Sequence, residues 1–202
     1  MNPFQMRFSA VEVQHLLRAW GAISLAFAIL NSRGLHLTAA FAFAVAISAI
    51  TVGVGFLLHE LMHKYFAQKY GCRAEFRAFD FMLLVSLVMS FFGFIFAAPG
   101  GVFISGHVNT ARSGRISAAG PATNIVLAAL FLGVLLAARS LALSPLLLQV
   151  AKYGASINAW LGVFNLLPFL GLDGSKVMYW NMKVYGVMLA LALGMMVATF
   201  VI

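Results

Sequence analysis

Long apolar runs separated by short polar stretches dominate this chain of 202 residues. A helix needs roughly 20 consecutive apolar residues to cross a bilayer, and several of these runs approach or exceed that length. The predicted spans are residues 11–30, 38–67, 113–138, 143–166 and 176–202. No linker, low-complexity tract or internal repeat separates them, so we expect a single domain, residues 1–202.

Two short stretches between the spans predict β-strands instead of helices. Residues 72–79, with the sequence CRAEFRAF, alternate in polarity. Residues 100–105, with the sequence GGVFIS, follow a turn and are rich in β-prone side chains. The expected fold class is an all-α membrane protein, a polytopic helical bundle with a small β element.

The composition supports a membrane protein and argues against a nucleic-acid partner. Apolar residues make up 63% of the chain and charged residues 9%, which is far from the composition of a soluble domain. The net charge is +8, but the basic residues fall between the apolar runs and form no continuous stripe. Cys72 is the single cysteine, which excludes an internal disulfide.

Residues 55–66, with the sequence GFLLHELMHKYF, place Glu60 between two histidines in an apolar run. On a helix His59 and His63 lie on one face, and Glu60 is beside them. This spacing lets both imidazoles bind one zinc ion while the carboxylate acts on a water at the same metal. A chance match is the alternative interpretation, and the rarity of ionisable residues inside membranes counts against it. We predict one Zn²⁺ per chain.

The third zinc ligand can be sought among few candidates, because the chain has only five acidic residues. Catalytic zinc usually takes three protein ligands. Glu12 lies in the first predicted span, and Glu75 and Asp80 follow closely after the helix that bears the histidines. Asp173 therefore remains as the predicted ligand.

The sequence around Asp173, NLLPFLGLDGSK, predicts an irregular turn. Pro168 cannot continue a helix, and Gly174 gives the backbone freedom next to the carboxylate. Irregular backbone at membrane depth is tolerated where it lines a polar site. A role for Asp173 as the cap of the following helix stays open.

Three motifs in this order, HELMH, AGPATN and NLLPFLGLDG, resemble those of the site-2 protease family of intramembrane zinc metalloproteases. The resemblance covers roughly residues 38–176, and the ordered set is more specific than any single motif. It implies zinc ligands at His59, His63 and Asp173. It also implies that Glu60 is the general base. No appended PDZ or CBS domain is expected in this chain.

The resemblance further implies a set of residues around the metal. Gly120, Pro121 and Asn124 would shape the helix that packs against the site. Asn165 would lie near the substrate carbonyl, and Asn124 is a second candidate for contact with substrate or oxyanion. His107 is a third candidate as an electrophile, although a role in a surface turn is the favoured interpretation.

The second predicted strand, residues 100–105, is also the predicted docking strand for the substrate. Its glycine pair and β-prone side chains predict an open strand edge, to which an unwound substrate adds by backbone pairing. The residues of this predicted edge are Gly100, Gly101, Val102, Phe103 and Ile104.

The function predicted from these observations is hydrolysis of peptide bonds within or near membrane-spanning segments. The expected partners are the lipid bilayer and a transmembrane or membrane-anchored protein substrate. The alternatives are a membrane zinc transporter, a silent relative that binds membrane segments without cutting, and a gluzincin. A gluzincin would use Glu75 as third ligand, although that residue follows His63 too soon for the class.

One shared zinc site constrains the topology. If residues 81–97 crossed the membrane completely, Asp173 would lie across the bilayer from His59 and His63. We therefore predict a re-entrant hairpin that turns near residues 90–93. The positive-inside rule then places the active site of this multi-pass protein of the cell membrane towards the cytoplasm.

Two lysines near the end of the histidine-bearing helix receive a simpler interpretation. Lys64 and Lys69 follow the metal motif directly and are expected to be anchors at the membrane interface.

Overall fold

The computed structural model describes residues 6–95, 99–169 and 171–202. Helices dominate these residues, and the two strands are the predicted ones. The elements are α1 (Ala10–Ser32), α2 (Ala39–Ser48), a π-helical turn (Ala49–Gly53), α3 (Val54–Lys69), β1 (Arg73–Ala78), α4 (Asp80–Ser90), β2 (Gly100–Ser105), α5 (Thr110–Ser140), α6 (Pro145–Asn165), α7 (Asp173–Trp180) and α8 (Met182–Val201). This architecture confirms an all-α membrane protein with a small β element.

Four helices in the described part of the chain are long and apolar enough to cross a membrane. They are Ala10–Ser32, Ala39–Lys69, Thr110–Ser140 and Met182–Val201, where Ala39–Lys69 is the continuous helix formed by α2, the π-helical turn and α3. The predicted span at residues 143–166 forms α6, which is not among the four. Its polar residues Gln149, Lys152 and Asn158 reduce its apolar character.

The last predicted span, residues 176–202, is two helices and not one. Asn181 has an extended backbone, with φ −156° and ψ 102°, so the chain breaks between α7 and α8. The Asn181 side chain accepts hydrogen bonds from the backbone N–H groups of Lys183 and Val184, which caps the start of α8. Helix α7 is consequently a separate short element, and it carries Asp173.

The two strands bring the ends of the apolar segment between them together. Strands β1 and β2 are antiparallel, with Ala78 opposite Gly100. Next to this pair the backbone N–H of Phe79 donates to the carbonyl of Pro99 at 3.0 Å. Helix α4 leaves the sheet and ends at Ser90 before a turn. The segment therefore leaves and returns at one end of the sheet, as the re-entrant prediction requires, although residues 96–98 lie outside the described residues.

A buried ion pair joins α1 to α3 and corrects one expectation. Lys64 is only 1% exposed and forms a salt bridge with Glu12, which is 0% exposed. The other carboxylate oxygen of Glu12 accepts a hydrogen bond from the backbone N–H of Phe76 in β1 at 2.8 Å. Lys64 is thus not an interfacial anchor. Its charge stays inside the protein because Glu12 supplies an internal partner.

Helix α5 occupies the middle of the bundle and packs against α3, α6 and α7. The start of α5 lies beside the end of α3, where the Arg112 guanidinium is 5.6 Å from the centre of the Tyr70 ring. This arrangement places the α3 histidines between α5 and the short helix α7.

Candidate metal centre and active site

Helices α3 and α7 bring three metal-binding side chains to one point. His59 and His63 lie one turn apart on α3, and their Nε2 atoms are 2.9 Å apart. Oδ2 of Asp173, the first residue of α7, lies 3.3 Å from His59 Nε2 and 3.0 Å from His63 Nε2. The three side chains are close enough to bind a single metal ion.

The hydrogen bonds behind the imidazoles fix which nitrogen faces the centre. His63 Nδ1 lies 2.8 Å from the carbonyl oxygen of Ile116, which only accepts, so Nδ1 carries the ring proton. His59 Nδ1 makes the equivalent contact with Oδ1 of Asn124 at 2.6 Å. Both Nε2 atoms are then unprotonated in the neutral rings and free to bind a metal, as is usual for metal-ligating histidines.

This arrangement suits zinc in both charge and size. Two Nε2 atoms and one carboxylate oxygen converge, and positive charge between them, from a metal ion or from a proton on an imidazole, is needed to balance them. Ligand atoms at about 2.0–2.1 Å from a tetrahedral zinc ion lie about 3.3 Å from each other. The observed separations of 2.9, 3.0 and 3.3 Å are at or slightly below that value. Two histidines and a carboxylate are also a common donor set for catalytic zinc.

The short helix α7 aims the Asp173 carboxylate at the histidines. No side-chain hydrogen bond caps α7, so the structure does not favour the capping role for Asp173. Gly174 is required here, because a Cβ atom would lie 2.1 Å from the carbonyl oxygen of Leu166. Pro168 falls in the irregular segment between α6 and α7, as predicted.

The charge state of Asp173 also suits a metal ligand. Burial alone would raise the pKa of this carboxyl group. Positive charge on His63, hydrogen bonds from His59 and His63, and charge on His59 outweigh burial and hold its pKa below the usual range in the absence of metal. A bound metal cation would supply the same positive charge when both imidazoles are neutral ligands. Asp173 is therefore ionised at neutral pH.

Helix α5 passes the metal centre closely because it carries glycine there. A Cβ atom at Gly120 would lie 2.4 Å from His63 Nε2 and 2.5 Å from His59 Nε2. The neighbouring Pro121 is buried inside the helix and has no N–H to offer, which leaves the carbonyl of Ser117 without its usual helical donor. Both residues thus shape the helix against the site, in the place that the family resemblance implies.

Asn124 lies behind His59. Its Oδ1 accepts from His59, and its Nδ2 donates to Asn158 Oδ1 at 3.1 Å and to the carbonyl of Gly55 at 3.3 Å. Because both ends of this fully buried amide have partners, the geometry favours a role in orienting His59 over the predicted contact with substrate.

Sequence reasoning missed one member of this network. Asn158 is completely buried in α6 and donates to the carbonyl of Gly154 at 3.0 Å. A Cβ atom at Gly55 would lie 2.3 Å from Asn158 Oδ1, so glycine on the metal helix makes room for this amide. An asparagine in the middle of a largely apolar helix was the available signal.

Glu60 and His59 line a cavity of about 110 Å³. Most of its other lining residues are apolar and come from helices, among them Phe27 of α1 and Trp160 of α6. Gly100 at the start of β2 also lines this cavity. The backbone of Val102 in β2 lies near the Glu60 carboxylate. The general-base candidate therefore lies between the metal ligands and strand β2.

The remaining predicted contacts divide into one inside the cavity and one outside it. Asn165 lines the cavity, and its Nδ2 donates to the carbonyl of Leu161 at 2.9 Å. This hydrogen bond does not use the side-chain oxygen of Asn165. His107 is exposed in the segment between β2 and α5 and is not a lining residue. The structure thus places Asn165, but not His107, at the candidate active site.

The gluzincin alternative is not supported by the position of Glu75. This residue lies in β1, where its carboxylate contacts Ser9 and forms an ion pair with Arg77 at 3.0 Å. Among the described residues, one cluster of His, Cys, Asp or Glu side chains can hold a metal ion, and Glu75 is not part of it.

Comparison with known proteins identifies relatives that are named as zinc metalloproteases. The chain is 39% identical over 143 residues to "Putative zinc metalloprotease MJ0611" of Methanocaldococcus jannaschii, covering 70% of this chain and 73% of that protein. It is 30% identical over 130 residues to Rip3 of Mycobacterium tuberculosis, whose name describes it in the same words. That match covers 64% of this chain and 29% of Rip3. No protein-family model and no solved structure matches the chain.

Fold, site and relatives together define a class of membrane-embedded zinc hydrolases. The chain belongs to the site-2 protease family of zinc metalloproteases. It is accordingly a zinc metalloprotease, and zinc is its metal.

Proposed function

We propose that this enzyme is an intramembrane endopeptidase that hydrolyses peptide bonds within or near transmembrane segments of other proteins. One observation carries the proposal. The cavity that contains His59 and Glu60 is walled mainly by apolar side chains of α1, α3 and α6. A cavity of this kind suits an apolar segment better than a polar soluble peptide.

In the proposed mechanism His59, His63 and Asp173 hold the zinc ion. The metal supplies Lewis acidity, which lowers the pKa of water and polarises a carbonyl group. Glu60 takes a proton from the attacking water and delivers it to the leaving amine. Asn124 keeps His59 in the tautomer that leaves its Nε2 free. The backbone of Val102 lies near Glu60 on the side of the cavity.

Strand β2 is proposed as the docking edge for the unwound substrate. In an antiparallel pair, alternate residues direct their backbone groups outwards. The N–H groups of Phe76 and Ala78 in β1 bond to Glu12 and His15, so these residues face away from β2. Their partners Val102 and Gly100 therefore also face outwards, on the side of Glu60 and the cavity.

A zinc transporter is the less favoured alternative. A transport path needs polar or charged ligands along the membrane spans. In the described ranges only the cluster of His59, His63 and Asp173 meets the geometry of a metal site.

Cleavage by purified protein tests the proposed function. The full chain in detergent should cut a single-span membrane peptide, and Glu60→Gln should reduce the rate by about 10²–10⁴-fold, the usual contribution of general acid–base catalysis. Zinc content should stay at one per chain, because all three proposed ligands remain. Glu75→Gln, which changes a carboxylate away from the cavity, is the matched control and should cut at the wild-type rate.

Two results would contradict the proposal in different ways. Cleavage by Glu60→Gln at the wild-type rate would remove Glu60 as the base. Efficient cleavage of a polar soluble peptide, without cleavage of the membrane peptide, would show a zinc peptidase that does not act on transmembrane segments.

We further propose that the active site is nearer the cytoplasmic face. The metal centre lies towards the Lys69 end of the long helix Ala39–Lys69. Basic residues are concentrated at that end, and fewer lie at the other, as the positive-inside rule prefers for the cytoplasmic side. The basic residues near the metal end include Lys69, Arg73, Arg77, Arg112 and Arg115, against Arg33, Arg139 and Lys152 at the opposite end.

Cysteine labelling tests this orientation. Thr110 and Ser140 are exposed at the two ends of α5, which are about 46 Å apart for a helix of this length. In a Cys72→Ser background, cysteine at Thr110 should react from the cytoplasm and cysteine at Ser140 from the outside. The reverse pattern would invert the proposed orientation without affecting the zinc centre.

A further inference from the structure

Two buried asparagines form a chain of hydrogen bonds behind the metal centre. Asn124 of α5 and Asn158 of α6 are both 0% exposed. Asn124 contacts the metal ligand His59 directly, whereas Asn158 contacts Asn124 and lies one residue further from the metal. The metal ligands come from α3 and α7, so this chain is the route by which α6 reaches the metal centre.

The side-chain amide of Asn124 has two possible orientations, and only one lets His59 bind a metal through Nε2. In the structure Asn124 Oδ1 faces His59 Nδ1 at 2.6 Å, so Nδ1 donates and Nε2 keeps its lone pair. In the reversed amide, Nδ2 would face Nδ1, and this ring nitrogen would have to accept. The proton of the neutral ring would then lie on Nε2, where it would block the metal.

Two backbone carbonyl groups, which can only accept, set the orientation of both amides. Asn158 Nδ2 donates to the carbonyl of Gly154 at 3.0 Å, which directs Asn158 Oδ1 towards Asn124. Asn124 Nδ2 then donates to this Oδ1 at 3.1 Å and to the carbonyl of Gly55 at 3.3 Å. In the reversed orientation the Asn124 oxygen would face two acceptors without a donor, which is costly for a buried group.

We propose that Asn158 is a positioning residue of the zinc site and acts through Asn124. Its side-chain oxygen holds the Asn124 amide in the orientation that leaves His59 Nε2 free for the metal. This role differs from packing, because a leucine of similar size fills the same space but supplies no acceptor. The inference goes beyond the proposed cleavage of transmembrane segments, since it concerns zinc affinity, and it rests on His59 as a zinc ligand.

The zinc affinity of the purified full-length protein in detergent tests the proposal, by competition with a chromophoric chelator. Asn158→Leu should weaken zinc binding about 10-fold, the lower end of the roughly 10–100-fold that loss of an outer-shell partner costs. The carbonyl of Gly154 keeps the helical N–H of residue 158 as a donor, so the leucine leaves no unpaired group there. Gln149→Leu makes the same change at an exposed amide of α6 and is the matched control, with less than a twofold effect.

The same substitution in an Asn124→Asp background separates positioning from packing. A carboxylate accepts from His59 Nδ1 in either orientation, so the tautomer of His59 no longer depends on Asn158. Asn124→Asp/Asn158→Leu should therefore bind zinc at least as tightly as Asn124→Asp alone. A residue that acts only by packing would weaken zinc binding by a similar factor in both backgrounds.

The outcomes decide the role of Asn158. A loss of about 10-fold in the wild-type background and none in the aspartate background supports the proposal. Similar losses in both backgrounds overturn it, and so does wild-type affinity in Asn158→Leu when His59→Ala has lost affinity. Unchanged affinity in both His59→Ala and Asn158→Leu would remove His59 as a ligand, and the positioning role with it. Asn158→Ser, which is too short to reach Asn124, replaces the leucine variant if that protein does not fold and has the same expected loss.

Discussion

Helix α3 carries two buried polar clusters on consecutive residues, and they differ in how their charges are balanced. His63 faces α5 and α7, where two imidazole nitrogens and one carboxylate oxygen of the metal cluster converge. Lys64 faces α1, where its ammonium group meets the Glu12 carboxylate and the Phe8 ring, 4.1 Å from the ring centre. The first cluster adjoins the active-site cavity, and we call it the open cluster. In the second, the closed cluster, the two charges are buried and pair with each other.

The comparison shows that buried charge alone does not mark a catalytic site. Lys64 and Glu12 are both almost completely inaccessible, yet each charge has an internal partner, and the second oxygen of Glu12 binds the Phe76 N–H. The metal cluster lacks such internal balance and requires positive charge from outside, as a metal ion or as a proton on an imidazole. A surplus of acceptors next to a cavity is therefore the more specific sign of function.

Breaking the closed cluster should have the largest effect, and it should act on stability. Lys64→Met leaves the buried Glu12 carboxylate unpaired, which typically costs about 3–5 kcal/mol of unfolding free energy. The double variant Glu12→Gln/Lys64→Met should recover most of this loss, because glutamine keeps an acceptor for the Phe76 N–H. Unfolding in mixed detergent, followed by tryptophan fluorescence, measures both values. If the single and double variants lost the same free energy of unfolding, Glu12 and Lys64 would not balance each other's charge as proposed.

Breaking the open cluster should act on the metal. Gly120→Ala places a methyl group against both Nε2 atoms, so zinc affinity should fall by at least the roughly 10–100-fold that loss of an outer-shell partner costs. Gly133→Ala is the matched control on the same helix, because nothing lies within 4 Å of a Cβ atom there. Competition with a chromophoric chelator measures zinc affinity. Unchanged affinity in Gly120→Ala would mean that α5 moves away from the metal centre at little cost.

The sequence was informative where local chemistry restricts the choices. The helical spacing of His59 and His63 and the scarcity of acids indicated the metal cluster that the structure brings together. The alternating polarity of residues 72–79 indicated β1. These features depend on a few neighbouring residues, so they can be recognised from the sequence without the tertiary structure.

Partners distant in the chain could not be predicted in the same way. Nothing local shows that Lys64 pairs with Glu12, 52 positions earlier, or that Asn124 turns towards His59. Both pairings depend on which helix faces align after packing. The break at Asn181 was missed for another reason, since an asparagine within an apolar run was not recognised as the cap of a new helix.

The two edges of the sheet differ in the same way as the two polar clusters. The outer N–H groups of β1 have partners within the protein, whereas the outer edge of β2 is the proposed docking edge for the substrate. A variant in β2 tests this difference and should have the smallest effect. The outward N–H groups of Phe76 and Ala78 in β1 are occupied by Glu12 and His15. In β2 the pairing of Ala74 with Ile104 places Ile104 in the same outward set as Val102. Ile104 is the better position for a test, because the backbone of Val102 lies near Glu60.

Ile104→Pro removes one outward N–H without removing a bond between the strands, and proline is tolerated on sheet edges. If the substrate pairs with this edge, losing one backbone hydrogen bond should reduce cleavage of the single-span peptide by about 2–10-fold, mainly through a higher KM. Zinc content should not change, and Ile104→Val, which keeps the N–H, should cut like the wild type. Phe103→Pro, which removes a bond between the strands, should instead reduce stability as well. A wild-type KM for Ile104→Pro would show that the substrate does not pair with β2 at this residue, and the open edge would need another explanation.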